Sequence, residues 1–135
     1  MSFFNRVALL FCFLLLSTAT DASPIDALRA VIPTLEGQER SDAYRQLFRL
    51  LNAQEDAEAT LQYLDEWIAF EHKQGHEDDE GKARRCRVVV MNNHTLDSIM
   101  LKEAPEHMEW FKQHVQWQRY YDTWDSKTSV YIYSG

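Results

Sequence analysis

The chain has 135 residues, 14 basic and 21 acidic side chains, and a formal charge of −7. That sign argues against nucleic acid and anionic lipid surfaces as main partners. Only four glycines and three prolines punctuate it, so it reads as helical and leaves little room for a turn-rich β architecture.

Residues 1–22 read as a secretory signal peptide. Arg6 precedes a ten-residue apolar run, Val7 to Leu16, and a small, polar stretch follows, with cleavage expected after Ala19 or Ala22. Ten apolar residues cover only about half of the ~30 Å hydrocarbon layer, which argues against a permanent anchor. Cys12 follows Phe11 rather than a small residue, which argues against a lipid anchor there. Cleavage after residue 22 of 135 leaves 113 residues, still at −7 because one base (Arg6) and one acid (Asp21) leave together. Cys86 is then the one remaining cysteine, so the exported domain must rest on packing without an internal disulfide.

Helical periodicity marks the rest of the chain. Pro24 to Ile32 makes a short helix ended by Pro33. After Gly37, a second carries Ala43, Tyr44, Leu47, Phe48 and Leu51 on its apolar side. In the third, Ala57, Leu61, Leu64 and Ile68 form one stripe and Tyr63, Trp67 and Phe70 another, as expected of a helix held between two neighbours. Val88-Val89-Val90 taken alone would suit a strand. Upstream, however, Asp78–Lys82 and Glu80–Arg84 are acid-before-base pairs at i,i+4, and the acids lie at the N-terminal end, so Glu77 to Met91 is predicted helical. After a turn at Asn92-Asn93, Thr95–Lys102 and Pro105–His114 are predicted as a helix interrupted near Ala104, with Pro105 in a first turn. The closing stretch places Trp117, Tyr121, Trp124, Thr128 and Tyr131 at spacings of 4, 3, 4 and 3, one face of a helix.

Compared with itself, the chain shows a weak repeat at an offset of 40 residues. Ala43 aligns with Ala83 and Thr123, Leu50 with Val90 and Val130, Leu51 with Met91 and Tyr131, Leu61 with Leu101, and Phe70 with Trp110. A helix pair recurring every 34–47 residues is the signature of an α-solenoid. The expected architecture is therefore all-α, built of antiparallel helix pairs, with the aromatic stretch as the first helix of a third pair.

The segments VIPTLEGQERSDAYRQLFRLLNAQ, DAEATLQYLDEWIAFEHKQG and APEHMEWFKQHVQWQRYYDTWDSKTSVYIYSG resemble the exported N-terminal regions of tetratricopeptide-repeat sensor histidine kinases and related signalling proteins of Bacteroides-type bacteria. The resemblance runs from about Ile25 to Gly135. It implies a periplasmic helical-repeat region over residues 23–135, about two and a half pairs, continued in full-length relatives by more repeats, a membrane helix and cytoplasmic signalling domains. Tyr44, Leu47, Leu51, Trp124 and Tyr131 match first-helix packing positions, and Leu61 and Leu64 second-helix ones. Phe48 stands where a small residue is usual, and Arg84 and Arg87 where apolar ones are, so "tetratricopeptide-like" is the fitting label.

Candidate chemistry is sparse. His72 and His76 lie among Glu71, Glu77, Asp78 and Asp79, but Gly75 breaks their shared face, so the sequence reads as a solvated polar turn rather than a metal site. HEDDE lacks the second histidine of HExxH. Cys86 with His94 or His107 would suit a nucleophile and base, yet it shares a packing stripe with Ala83 and Val90 and reads as a structural thiol. The Asn93 sequon (NHT) carries no meaning in a bacterial periplasm. No catalytic set, metal or cofactor is expected.

The reading is a non-catalytic exported interaction or sensory module, with a small secreted enzyme or a eukaryotic secreted peptide precursor as alternatives. Its partner is expected to be a protein or peptide, or downstream repeats. The expected binding face is the concave side, lined by Asp42, Arg45, Arg49 and Asn52 of the first unit and Asp122, Asp125 and Ser129 of the third. The stripe of Trp117, Tyr121, Trp124 and Tyr131 is expected to need cover, so that the isolated chain self-associates or frays from about Gln116.

Overall fold

The computed structural model describes residues 23–133, so the expected signal peptide lies outside the described residues. Ser23 caps helix α1 (Pro24–Val31), accepting from Asp26 N–H, with Pro24 in the first turn where its missing N–H costs nothing. Pro33 follows within a 3₁₀ turn, Ile32–Thr34. Five long helices come next: α2 (Gly37–Ala53), α3 (Ala57–Gln74), α4 (Glu77–Asn93), α5 (Asp97–Gln113) and α6 (Trp117–Tyr133). No strand occurs among the described residues. The β-branched run at 88–90 is helical, as the upstream charge pairs predicted: Lys82 lies 2.7 Å from Asp78, and Arg84 lies 2.8 Å from Glu80.

The long helices start at 37, 57, 77, 97 and 117, a step of 20 residues, so the pair period is the 40 residues of the sequence repeat. Burial follows the same register. Thr60, Leu64, Trp67 and Glu71 of α3 are buried, and so are Met100, Ala104, His107 and Phe111 of α5, forty residues on. Ala43, Ala83 and Thr123 are buried at matching points of α2, α4 and α6. Loops of two or three residues turn each helix back on its predecessor, and consecutive helices pack; α4 also packs against α6. α3 lies between α2 and α4, as its two apolar stripes required.

The turns repeat too. Gly75, Thr95 and Val115 adopt left-handed backbone at φ 70°, 49° and 58°. In each case the next N–H reaches back five residues to a helix carbonyl: His76 to Glu71 at 3.0 Å, Leu96 to Met91 at 2.9 Å and Gln116 to Phe111 at 2.8 Å. This is the Schellman closure, which suits glycine and strains a β-branched side chain. Val115 is 70% exposed, so its side chain adds little packing to offset that strain. Val115→Gly should therefore raise stability by about 1 kcal/mol, less the extra freedom glycine gives the unfolded chain. Urea unfolding would measure it, and a loss of stability would show that the turn is not strained.

The structure corrects the predicted break near Ala104. Helix α5 runs unbroken through Pro105. Ala104 is fully buried and Met100, His107 and Phe111 continue the same inner face, so packing on both sides holds the helix across one missing backbone hydrogen bond. Pro105 itself faces solvent.

Candidate interaction surface and buried ionic layer

The first helices of the pairs, α2, α4 and α6, are joined by a ladder of polar contacts. Arg45 on α2 donates to Asp42 at 2.9 Å and, across the gap, to Asp79 on α4 at 3.0 Å. Lys82 bridges Asp78 and Asp79 at 2.7 and 3.0 Å. From α6, Arg119 donates to Asp78 at 2.9 Å and the Gln116 amide to the Glu77 carbonyl at 3.0 Å. Farther along, Arg85 faces Asp122 at 3.8 Å and Ser129 meets Asn92 at 3.5 Å. Hydrogen bonds from Lys82 and Arg119 hold the Asp78 carboxyl below its ordinary range. Gly81 sits under this crossing, where a Cβ would run into Gln116 and Arg119.

The seven residues expected on the concave face divide in two. Arg45, Asp122 and Ser129 contact the next first helix, and Asp42 supports Arg45, so these four are spent largely on stacking. Arg49 and Asp125 are exposed, and Asn52 is half-buried near the end of α2. The structure adds Lys82 and Arg85 of the middle unit, which the sequence reading left out of the face.

A second cluster lies where α3, α4 and α5 meet, and the sequence disclosed only its outline. Glu71 is fully buried; one carboxylate oxygen accepts from Trp67 Nε1 and the other pairs with His76 Nδ1, both at 2.8 Å. His72 Nδ1 lies 3.1 Å from Glu80, itself 3% exposed. The two histidines thus go to different carboxylates. The turn between α3 and α4 is accordingly not simply solvated, because a buried acid anchors it.

Glu80 also accepts from Arg84 Nε at 2.9 Å. The Arg84 guanidinium lies 4.9 Å from the Trp110 ring centre and 3.3 Å from His107 Nδ1. Forty residues earlier Tyr44 stacks on Phe70, with ring centres 5.8 Å apart, so Arg84 takes the place of a ring against a ring. Arg87 forks onto Glu103 at 2.6 and 3.1 Å, approaches Asp65 at 2.8 Å and donates to the Leu61 carbonyl at 3.0 Å. One side chain thereby ties α4 to both α3 and α5. The bonds from Arg87 lower the Glu103 carboxyl below its usual range.

A guanidinium only donates, so His107 Nδ1 is the acceptor and the ring proton sits on Nε2. Nε2 is buried without a hydrogen-bond partner, and the nearest acid, Glu103, is 4.0 Å away. Burial, with the Arg84 charge beside it, pushes the His107 pKa down to about 4. Cys86 packs against the core, and burial pushes its thiol up to about 11, against the pull of Arg85, Arg119 and Arg45. At neutral pH it stays protonated and is a poor nucleophile. His107, one of its two suggested partners, is engaged with Arg84 instead.

Among the described residues no group of three or more His, Cys, Asp or Glu side chains is placed to share a metal ion, and no helix is long and apolar enough to cross a membrane. No family model, curated protein or solved structure matches the chain.

Proposed function

We propose that this protein is a non-catalytic, exported helical-repeat module that binds a protein or peptide along its first helices. The observation that carries the reading is the 20-residue register of helices, turns and burial. A regular stack of helix pairs builds an extended face rather than a single cleft. Where the buried groups have chemistry, it is used internally: Glu71 is bonded by Trp67 and His76, Arg87 by Glu103 and Asp65, and the Cys86 thiol is held protonated. Arg49, Asp125 and Asn52 are the members of the expected face that no inter-helix bond described above engages.

The finer parts of the proposal, the tetratricopeptide-like identity and a place at the front of a periplasmic sensor of a signal-transduction protein, rest on the phrase-level resemblance. A photo-crosslinking side chain at Arg49 should capture a partner in the native envelope, whereas one at Glu58, exposed at the start of α3, should not. Equal capture at both positions would remove the binding face. Mass spectrometry of the same material should find the chain beginning at Thr20 or Ser23, and an intact Met1 would remove export.

A further inference from the structure

We infer that the outer face of α6 is the contact between two copies of this chain, packed helix against helix in antiparallel, two-fold fashion. This inference does not depend on the proposed function. Thr123 and Val130 are the buried residues of α6 and give it its inner side. Trp117, Tyr121, Trp124 and Tyr131 stand 44–63% exposed on the other, with half-buried Thr128 between them. In α2 the residues forty and eighty positions earlier, Tyr44 and Leu51, are buried, and so is Met91 in α4. The α6 stripe therefore occupies positions that this fold covers in each preceding pair.

Three observations choose a second copy as the cover. The first is chemical. Where one first helix receives the next, the preceding units place a small buried residue, Ser41 in α2 and Gly81 in α4, and Gly81 admits Gln116 and Arg119. The matching residue of α6 is Tyr121, 58% exposed, which blocks another stacking step of the same kind. The second is area. At ~150–250 Å² per aromatic side chain, the stripe with Ile132 and Tyr133 offers roughly 600 Å², before its polar neighbours Gln118 and Asp125 are counted. A standard dimer needs about 800 Å² from each partner. The third is charge. Arg119 and Lys127 cancel Asp122 and Asp125, so α6 is neutral in a chain of −7. Two such chains meet with least repulsion there, and α6 lacks the excess of basic residues that would draw an anionic lipid surface.

The stripe is also self-complementary. Trp117 and Tyr131 lie seven residues either side of Trp124, and Tyr121 and Thr128 lie three and four. An antiparallel pair centred on Trp124 thus sets Trp117 beside the second copy's Tyr131 and Tyr121 beside its Thr128, with the two Trp124 rings at the centre, where interface energy concentrates.

Sedimentation equilibrium of the purified protein should show a mass rising with concentration to twice the monomer and stopping there. Trp124→Glu, at an exposed position, should weaken association about thirtyfold or more while circular dichroism stays helical. Trp124→Cys should yield a disulfide-linked dimer on mild oxidation, which the native chain, with Cys86 packed against the core, should not. A monomer at all concentrations would overturn the inference. So would undiminished dimerisation of Trp124→Glu, a mass climbing past two copies as in end-to-end stacking, or uptake of a monomer by neutral phosphatidylcholine vesicles.

Discussion

Replacing Arg87 by alanine is expected to destabilise the protein by about 3–5 kcal/mol, the range for removing one partner of a buried ion pair. Arg87 is the one side chain that bonds both the Leu61 carbonyl on α3 and the Glu103 carboxylate on α5. Its side chain is 11% exposed and that of Glu103 26%, so Glu103 cannot recover full hydration once Arg87 is gone. The same argument predicts that Arg87→Leu with Glu103→Tyr costs much less than either change alone. The first pair of helices carries Leu47 and Tyr63 at those two positions, packed in the core without charge. Urea unfolding of the two single variants and the double would settle the matter. A single cost below about 1 kcal/mol, or a double no better than the worse single, would show that Arg87 is effectively solvated.

The second large effect is acid sensitivity centred on His107. Unfolded, its imidazole takes a proton near pH 6.5; folded, it resists until about 4. Between those values the unfolded chain binds the extra proton, so stability is full above pH 6.5 and falls as the pH drops toward 4. The loss should reach about 2 kcal/mol at pH 5 and about 3 kcal/mol in all, as order-of-magnitude figures. The groups facing the ring agree in direction: Arg84 and Arg87 of α4 oppose a second positive charge, while Glu103 on its own helix favours one and is outweighed. Glu103 and Asp78, both held below their usual ranges, extend the loss to lower pH. Asp65 works against it, because burial raises its carboxyl and the folded chain takes that proton early. His107→Gln should flatten the slope between pH 6.5 and 4 in denaturation curves taken at each pH. An unchanged slope would place the sensitivity elsewhere.

Much of the architecture was legible because it is local and periodic. The 40-residue self-match anticipated the pairing of Ala43 with Ala83 and Thr123, all buried, and the charge pairs around Glu80 and Arg84 anticipated helix α4. Pro105 misled because a proline in isolation signals a helix start, whereas the inner face from Met100 to Phe111 was a property of three helices meeting. Arg84 and Arg87 read as flaws in an apolar stripe because their acceptors, His107, Glu103 and the Leu61 carbonyl, lie 16 to 26 residues away. No spacing rule on one helix reaches that far.

The sequence by itself determined that residues 23–133 are helical, how the helices are spaced, and that the last one bears an aromatic face, since each follows from contacts within one turn or one repeat. Only the tertiary structure decided which way that face points. Hydrophobicity would turn Trp117, Trp124 and Tyr131 inward, but the approach of α4 and α5 leaves room for Thr123 and Val130 and not for rings. Tertiary contact likewise turned Glu71, Arg84, Arg87 and His107 from surface charges into a bonded layer, because only the meeting of three helices removes the water that would otherwise solvate them.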